Sequence, residues 1–180
     1  ILDLFYHHIQ TDWAECYEEP YEGKFSFLFF KNFSDPSYAD KIGYAFMDLN
    51  GDGTDELLIG IDITEDSIEK DMYQDVIFDL YTYMDNRIIH LATSGERFAY
   101  RLCEDHTIYY YGAGGAFYSY YYHYELDPNK PVLSVLESIR MEEDCWSYSS
   151  SGQYDPETNS HEGEMLTDIS RDDACSVMDS

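Results

Sequence analysis

Asp48, Asn50 and Asp52 place three oxygen-bearing side chains at alternate positions in "MDLNGDGTDELLIG", residues Met47 to Gly60. Calcium takes roughly six to eight hard oxygen ligands, and alternate side chains on a tight loop can converge on one ion. Counting from Asp48, Asn50 is third, Asp52 fifth, Gly53 sixth where a sharp turn is needed, and Thr54 seventh with its backbone carbonyl. An EF-hand would then need a bidentate carboxylate at the twelfth position, which here is Ile59. The flanks "IGYAFM" and "ELLIGIDI" are also too short and too β-branched for the two helices of an EF-hand. Glu56, at the ninth position, supplies the remaining carboxylate of a strand–loop–strand site. The competing reading is a turn in which Asp, Asn and Gly serve backbone geometry alone. Strict alternation with a ninth-position carboxylate favours calcium, in a structural role that ties two strands together.

The loop resembles the calcium loops of FG-GAP and VCBS repeats, Asp-x-Asn-x-Asp-Gly-x-x-Asp followed by an apolar strand. That resemblance implies Asp48, Asn50, Asp52, Thr54 and Glu56 as the ligands. It departs from the family in having one copy instead of many, and Glu in place of the last Asp. Over residues 42–126 the chain also resembles uncharacterised secreted proteins or lipoproteins of gut Firmicutes, which carry no activity to transfer.

Other residues could do chemistry, but their spacing is less specific. In "AFYSYYYHYEL", Tyr118, Tyr120, Tyr122 and Tyr124 share one face of a strand, and Phe117, Ser119, Tyr121 and His123 the other. Exposed, the tyrosine row would stack on sugars or anchor a protein; buried, it would be cross-strand packing, the commoner use. Gly112, Gly114 and Gly115 form no phosphate loop, since no GK[ST] follows. His7, His8, His90, His106, His123 and His161 show no HExxH or related spacing, and no GxSxG elbow is present. Cys103 and His106 fall at a turn, where a thiol nucleophile would be a guess. With 37 acidic residues, carboxylate pairs for glycoside hydrolysis can be drawn at will.

The surrounding chain bounds the class. Its 180 residues suit one domain with a hydrophobic core. The 10 basic residues leave a net charge of −27, which argues against nucleic acid and anionic membrane surfaces. No apolar run reaches the roughly 20 residues of a membrane-spanning helix. The opening "ILDLFYHHIQ" reads as a mature or trimmed chain whose signal peptide or lipid anchor would precede it. Cys16, Cys103, Cys145 and Cys175 permit two disulfides in three connectivities, or four separate thiols.

Periodicity then sets the elements. An amphipathic helix is expected over 1–20, ending before Pro20. A β meander over 42–141 carries the acidic loop, with a hairpin at Asp85-Asn86 and a turn at "GAGG". A polar loop is expected over 147–164, and a short helix over 170–179 capped by Ser170 with Asp173 three residues on. The expected class is α+β, mainly an antiparallel meander that could form a propeller-like blade. The expected function is a non-enzymatic, extracellular or cell-surface calcium module recognising a protein or glycan. A secreted hydrolase using a carboxylate pair is the rival.

Overall fold

The computed structural model describes residues 41–61, 75–156, 158 and 160–178. The expected helix over 1–20, with His7, His8 and Cys16, lies outside the described residues. The early strands are β1 (Ile42–Met47), β2 (Glu56–Ile61), β3 (Val76–Ile77), β4 (Asp79–Met84) and β5 (Arg87–Thr93). Then follow β6 (Phe98–Leu102), β7 (Ile108–Gly115), β8 (Tyr118–Leu126) and β9 (Leu133–Glu142). The chain finishes with β10 (Cys145–Ser149), β11 (Gln153–Asp155), β12 (Ser160–Glu162), β13 (Thr167–Ile169) and helix α1 (Arg171–Met178).

These strands make two antiparallel sheets. The first is four-stranded, in the order β1-β2-β4-β5. The second is nine-stranded and runs β12-β11-β9-β8-β7-β6-β3. The long strand β9 shares its far edge between β11 at its start and β10 at its end, and β13 adds to β10. The sheets share one core. Leu58, Leu80, Ile89 and Leu91 enter it from the first sheet, and Ile108, Tyr122, Tyr124, Leu133 and Val135 from the second. Apolar area removed from water on both inner faces is the main stabilising term of such a stack.

The run "DVIFDLYTYM" reads as one strand but serves both sheets. Phe78, fully buried, separates β3 of the second sheet from β4 of the first. Its N–H donates to Ile59 O at 2.8 Å and its carbonyl accepts from Ser94 N at 2.9 Å, so the break keeps its backbone bonds. Ser94, also buried, completes the corner: its hydroxyl donates to Ile77 O at 2.5 Å and accepts from Tyr100 N at 2.9 Å.

The Asp85-Asn86 hairpin is present, with φ of 52° and 61° at the two residues. Asp and Asn tolerate this left-handed region better than most side chains. Helix α1 starts as expected: Ser170 Oγ accepts Asp173 N at 3.1 Å and donates to the Asp173 carboxylate at 2.6 Å.

Two expectations are corrected. "GAGG" does not turn the chain; it ends β7 as extended strand with a bulge between Ala113 and Gly115, and the turn follows at residues 116–117. The segment 147–164 is no plain loop. It completes β10 and contains the β11–β12 hairpin, because the edge of β9 offers unpaired N–H and C=O groups that these residues satisfy.

Candidate functional site

The acidic loop is the connection between β1 and β2, at one end of the first sheet. Its side chains are turned onto its own backbone. Asp48 Oδ1 accepts Gly51 N at 2.7 Å, and its Oδ2 accepts Gly53 N at 3.0 Å. Asn50 Oδ1 accepts Asp52 N at 3.1 Å, and Asp52 Oδ1 accepts Thr54 N at 2.6 Å. Gly51 and Gly53 have φ of 73° and 87°, which other residues reach only with strain. The Asn50 amide spans to Asp127 O after β8, at 3.4 Å. Asp52 is exposed; Asp48, Asn50 and Thr54 are half-buried.

Glu56 stands apart from these. It is fully buried, where its Oε2 accepts Leu49 N at 3.0 Å and its Oε1 accepts the Thr82 hydroxyl of β4 at 2.9 Å. Desolvation pushes its pKa up; the bonds from Leu49 and Thr82 oppose this, and the charges of Asp52 and Asp48 add to it.

Hard oxygens from Asp48, Asn50, Asp52 and the Thr54 carbonyl suit calcium by their chemistry. Each anionic oxygen engaged by one amide keeps a second lone pair for an ion. Among the described residues, however, no three His, Cys, Asp or Glu side chains converge closely enough to hold a metal. The donor types of the loop suit a hard cation, whereas Glu56 is held in the interior by its own bonds to Leu49 and Thr82.

The tyrosine row needs correction as an exposed binding face. Tyr122 and Tyr124 are 3% and 0% exposed and belong to the core, with ring centroids 5.4 Å apart and planes within 2°. Tyr120 packs against the same core, and only Tyr118 at the strand's start is exposed. Alternation puts the four on one face, and that face is the core side of the sheet, where Tyr100, Tyr154 and His161 pack on Tyr122 and Tyr124. Exposed aromatic side chains among the described residues are scattered, with Phe117 in the β7–β8 turn, Tyr44 and Phe46 on β1 and Tyr83 on β4.

Beside the buried tyrosines sits His161 of β12. Its ring stacks on Tyr122 at 4.2 Å, and its Nε2 lies 2.6 Å from the Tyr124 hydroxyl. Burial, helped by the nearby Arg140 charge, lowers the His161 pKa to about 4. Burial raises that of Tyr124 far above the phenol range. The neutral phenol therefore donates to Nε2 of a neutral imidazole. Arg140, over the Tyr122 ring, is paired with Glu164, which also accepts from Ser138 at 3.0 Å.

On the other face of the second sheet, Thr107, His123 and Glu137 line up in the order of a hydrolytic relay. Thr107 Oγ1 is 2.7 Å from His123 Nε2, and His123 Nδ1 is 3.6 Å from Glu137. Sequence spacing hides this group, because a bulge at His123/Tyr124 shifts β8 against β9. The hydroxyl has one proton, and it goes to Asp105 Oδ1 at 2.5 Å. That carboxyl is held below its usual range chiefly by the Thr107 hydroxyl, so it accepts and does not donate. Nε2 is then a donor to Thr107, the reverse of a general base. The turn's amides are also engaged, Thr107 N with Asp105 and His106 N with Cys103 O. This arrangement ties the β6–β7 turn to β8.

Cys103, Cys145 and Cys175 are free thiols, so the framework of two disulfides does not exist in this structure. Among the described residues no helix is long and apolar enough to cross a membrane. No family model, curated protein or solved structure matches the chain.

Proposed function

We propose that this protein is an extracellular or cell-surface module that binds calcium at the β1–β2 loop and recognises a protein or glycan without catalysis. One observation carries the reading. Asp48, Asn50 and Asp52 are held at alternate positions by five side-chain-to-backbone and side-chain-to-side-chain bonds within a turn whose glycines adopt left-handed backbone. Asp48 and Asp52 thereby sit in one turn of a chain already carrying −27, where a divalent cation would offset part of the charge. Exposed Phe117 in the β7–β8 turn, with Tyr118 beside it, supports a small apolar contact point for a partner at the far end of these strands.

Binding that favours the folded chain raises the melting temperature with the logarithm of free calcium. Melting should therefore rise in calcium and fall in chelator, with a smaller response to magnesium, which demands a tighter octahedral site. Asp48→Ala and Asp52→Ala should each remove most of the response. Asp55→Ala, at an exposed position outside the alternation, should leave it intact. Identical melting in calcium and chelator, with no calcium heat by calorimetry, would overturn the reading.

A further inference from the structure

We infer that the β11–β12 hairpin is a flap hinged at Gly152 and Gly163, that His161 latches it onto the tyrosine core, and that protonating His161 releases it. Nothing in this device depends on an ion at the β1–β2 loop.

The hairpin is thinly attached. It ends the nine-stranded sheet, and its strands meet β9 over two register pairs, Gln153 with Ser134 and Tyr154 with Leu133. Among the described residues no strand covers the outer edge of β12. The chain on either side is anchored more firmly. Ser149 Oγ accepts Met165 N at 3.2 Å, and Glu164 is clamped by Arg140 and Ser138. Between these anchors and the hairpin stand Gly152 and Gly163, with φ of 128° and 74°, backbone that glycine enters and leaves without strain. Hinges are a few element-terminal residues of this kind, which absorb large φ/ψ changes.

Two side chains hold the hairpin down. Tyr154 and His161 are register partners with ring centroids 5.1 Å apart, and both meet Tyr124. The groups facing the imidazole are Tyr122 and Tyr124 of β8, Tyr154 of β11, Arg140 of β9, and Glu164 beyond it. Asp155 and Glu162 alternate to the hairpin's other face. Burial pushes all three phenols up, so they stay neutral, and Glu164 is already paired with Arg140. An imidazolium here would meet the Arg140 charge and lose the Nε2 lone pair that holds the Tyr124 hydroxyl. In water the ring charges freely, so a proton favours the released hairpin. Release bares the β9 edge at Leu133 and Ser134 and the ring face of Tyr122 that His161 covers.

Native-state hydrogen exchange by NMR tests the flap. Val135 N donates to Gly152 O at 2.9 Å, so antiparallel alternation makes Leu133 and Tyr154 the next hydrogen-bonded pair. Ser94 N, bonded to Phe78 O at the corner between the sheets, reports global opening. At about pH 7.5 the Tyr154 amide should open at least about tenfold more often than that of Ser94, after correction for intrinsic exchange. Low urea should leave it unchanged, because a local opening exposes little surface. From about pH 7.5 to about pH 5 the wild-type Tyr154 opening should rise about 5–30-fold, the lower figure allowing for solvent screening of a half-buried ring. His161→Gln keeps an acceptor for the Tyr124 hydroxyl, His161→Phe keeps a ring, and neither titrates. In both, the same pH change should alter Tyr154 opening by less than about twofold. A Tyr154 amide that exchanges with the opening constant and urea dependence of Ser94 would overturn the flap. A wild-type opening indifferent to pH, or a pH response in His161→Gln as large as in the wild type, would overturn His161 as its latch.

Discussion

His161 should make the fold sensitive to mild acid. Its pKa in the folded chain lies near about 4, against roughly 6.5 for imidazole in an unfolded chain. A histidine depressed on folding is neutral in the native state while the unfolded chain takes up a proton. Stability is therefore full above the unfolded value, falls as pH drops through the window from roughly 6.5 to about 4, and flattens below it. At about pH 5 the unfolded chain binds nearly one proton more, a linkage of about 2 kcal/mol before screening. His161 is half-buried, so the contribution expected is about 1 kcal/mol. His161→Phe keeps an aromatic ring against Tyr122 and removes the titration. It also strips the Tyr124 hydroxyl of its 2.6 Å partner, at a cost of about 1–3 kcal/mol at neutral pH. Urea unfolding of both proteins at about pH 7.5 and about pH 5 measures the two effects separately. Carboxylates titrate alike in both, so the wild type should lose about 1 kcal/mol more than the variant on acidification. Equal losses would refute the claim that this imidazole is held neutral by its burial.

Tyr124→Ala should destabilise by about 3–5 kcal/mol, since a fully buried ring leaves a cavity, whereas Tyr118→Ser should leave the urea midpoint nearly unchanged. Native protein should react with a thiol reagent rapidly at the exposed Cys145 and Cys175 and more slowly at the half-buried Cys103. Failure to alkylate these three after denaturation without reductant would show that they are paired. Ser170→Ala should cost about 0.5–2 kcal/mol in local helix stability by loss of the α1 cap, read as faster amide exchange at Asp173. Asn86→Val should weaken the β4–β5 hairpin by roughly 1–2 kcal/mol, because a β-branched residue resists the φ of 61° at that position.

Features set by neighbours along the chain were legible in the sequence. The Asp48–Gly53 turn, the Asp85-Asn86 hairpin and the Ser170–Asp173 cap each depend on residues within one turn of backbone, whose side chains reach local N–H groups. Alternation likewise placed Tyr118, Tyr120, Tyr122 and Tyr124 on one face, because the strand period is two whatever surrounds it. Which face is core was decided elsewhere, by distant residues such as Tyr100, Tyr154 and His161 that pack on Tyr122 and Tyr124. The stretch "DVIFDLYTYM" is rich in β-branched and aromatic residues with no turn signal inside it, so nothing local marks Phe78 as the point where the chain changes sheet. The short strands within 147–164 form because β9 has a free edge, a property of β9 and not of the polar residues that cover it. Glu56 shows the same division within the candidate site. Its ninth position in the loop is read from spacing alone, but its partner Thr82 is 26 residues away. Only the pairing of β2 with β4 brings that hydroxyl against the carboxylate, and burial between them turns an expected ligand toward the core.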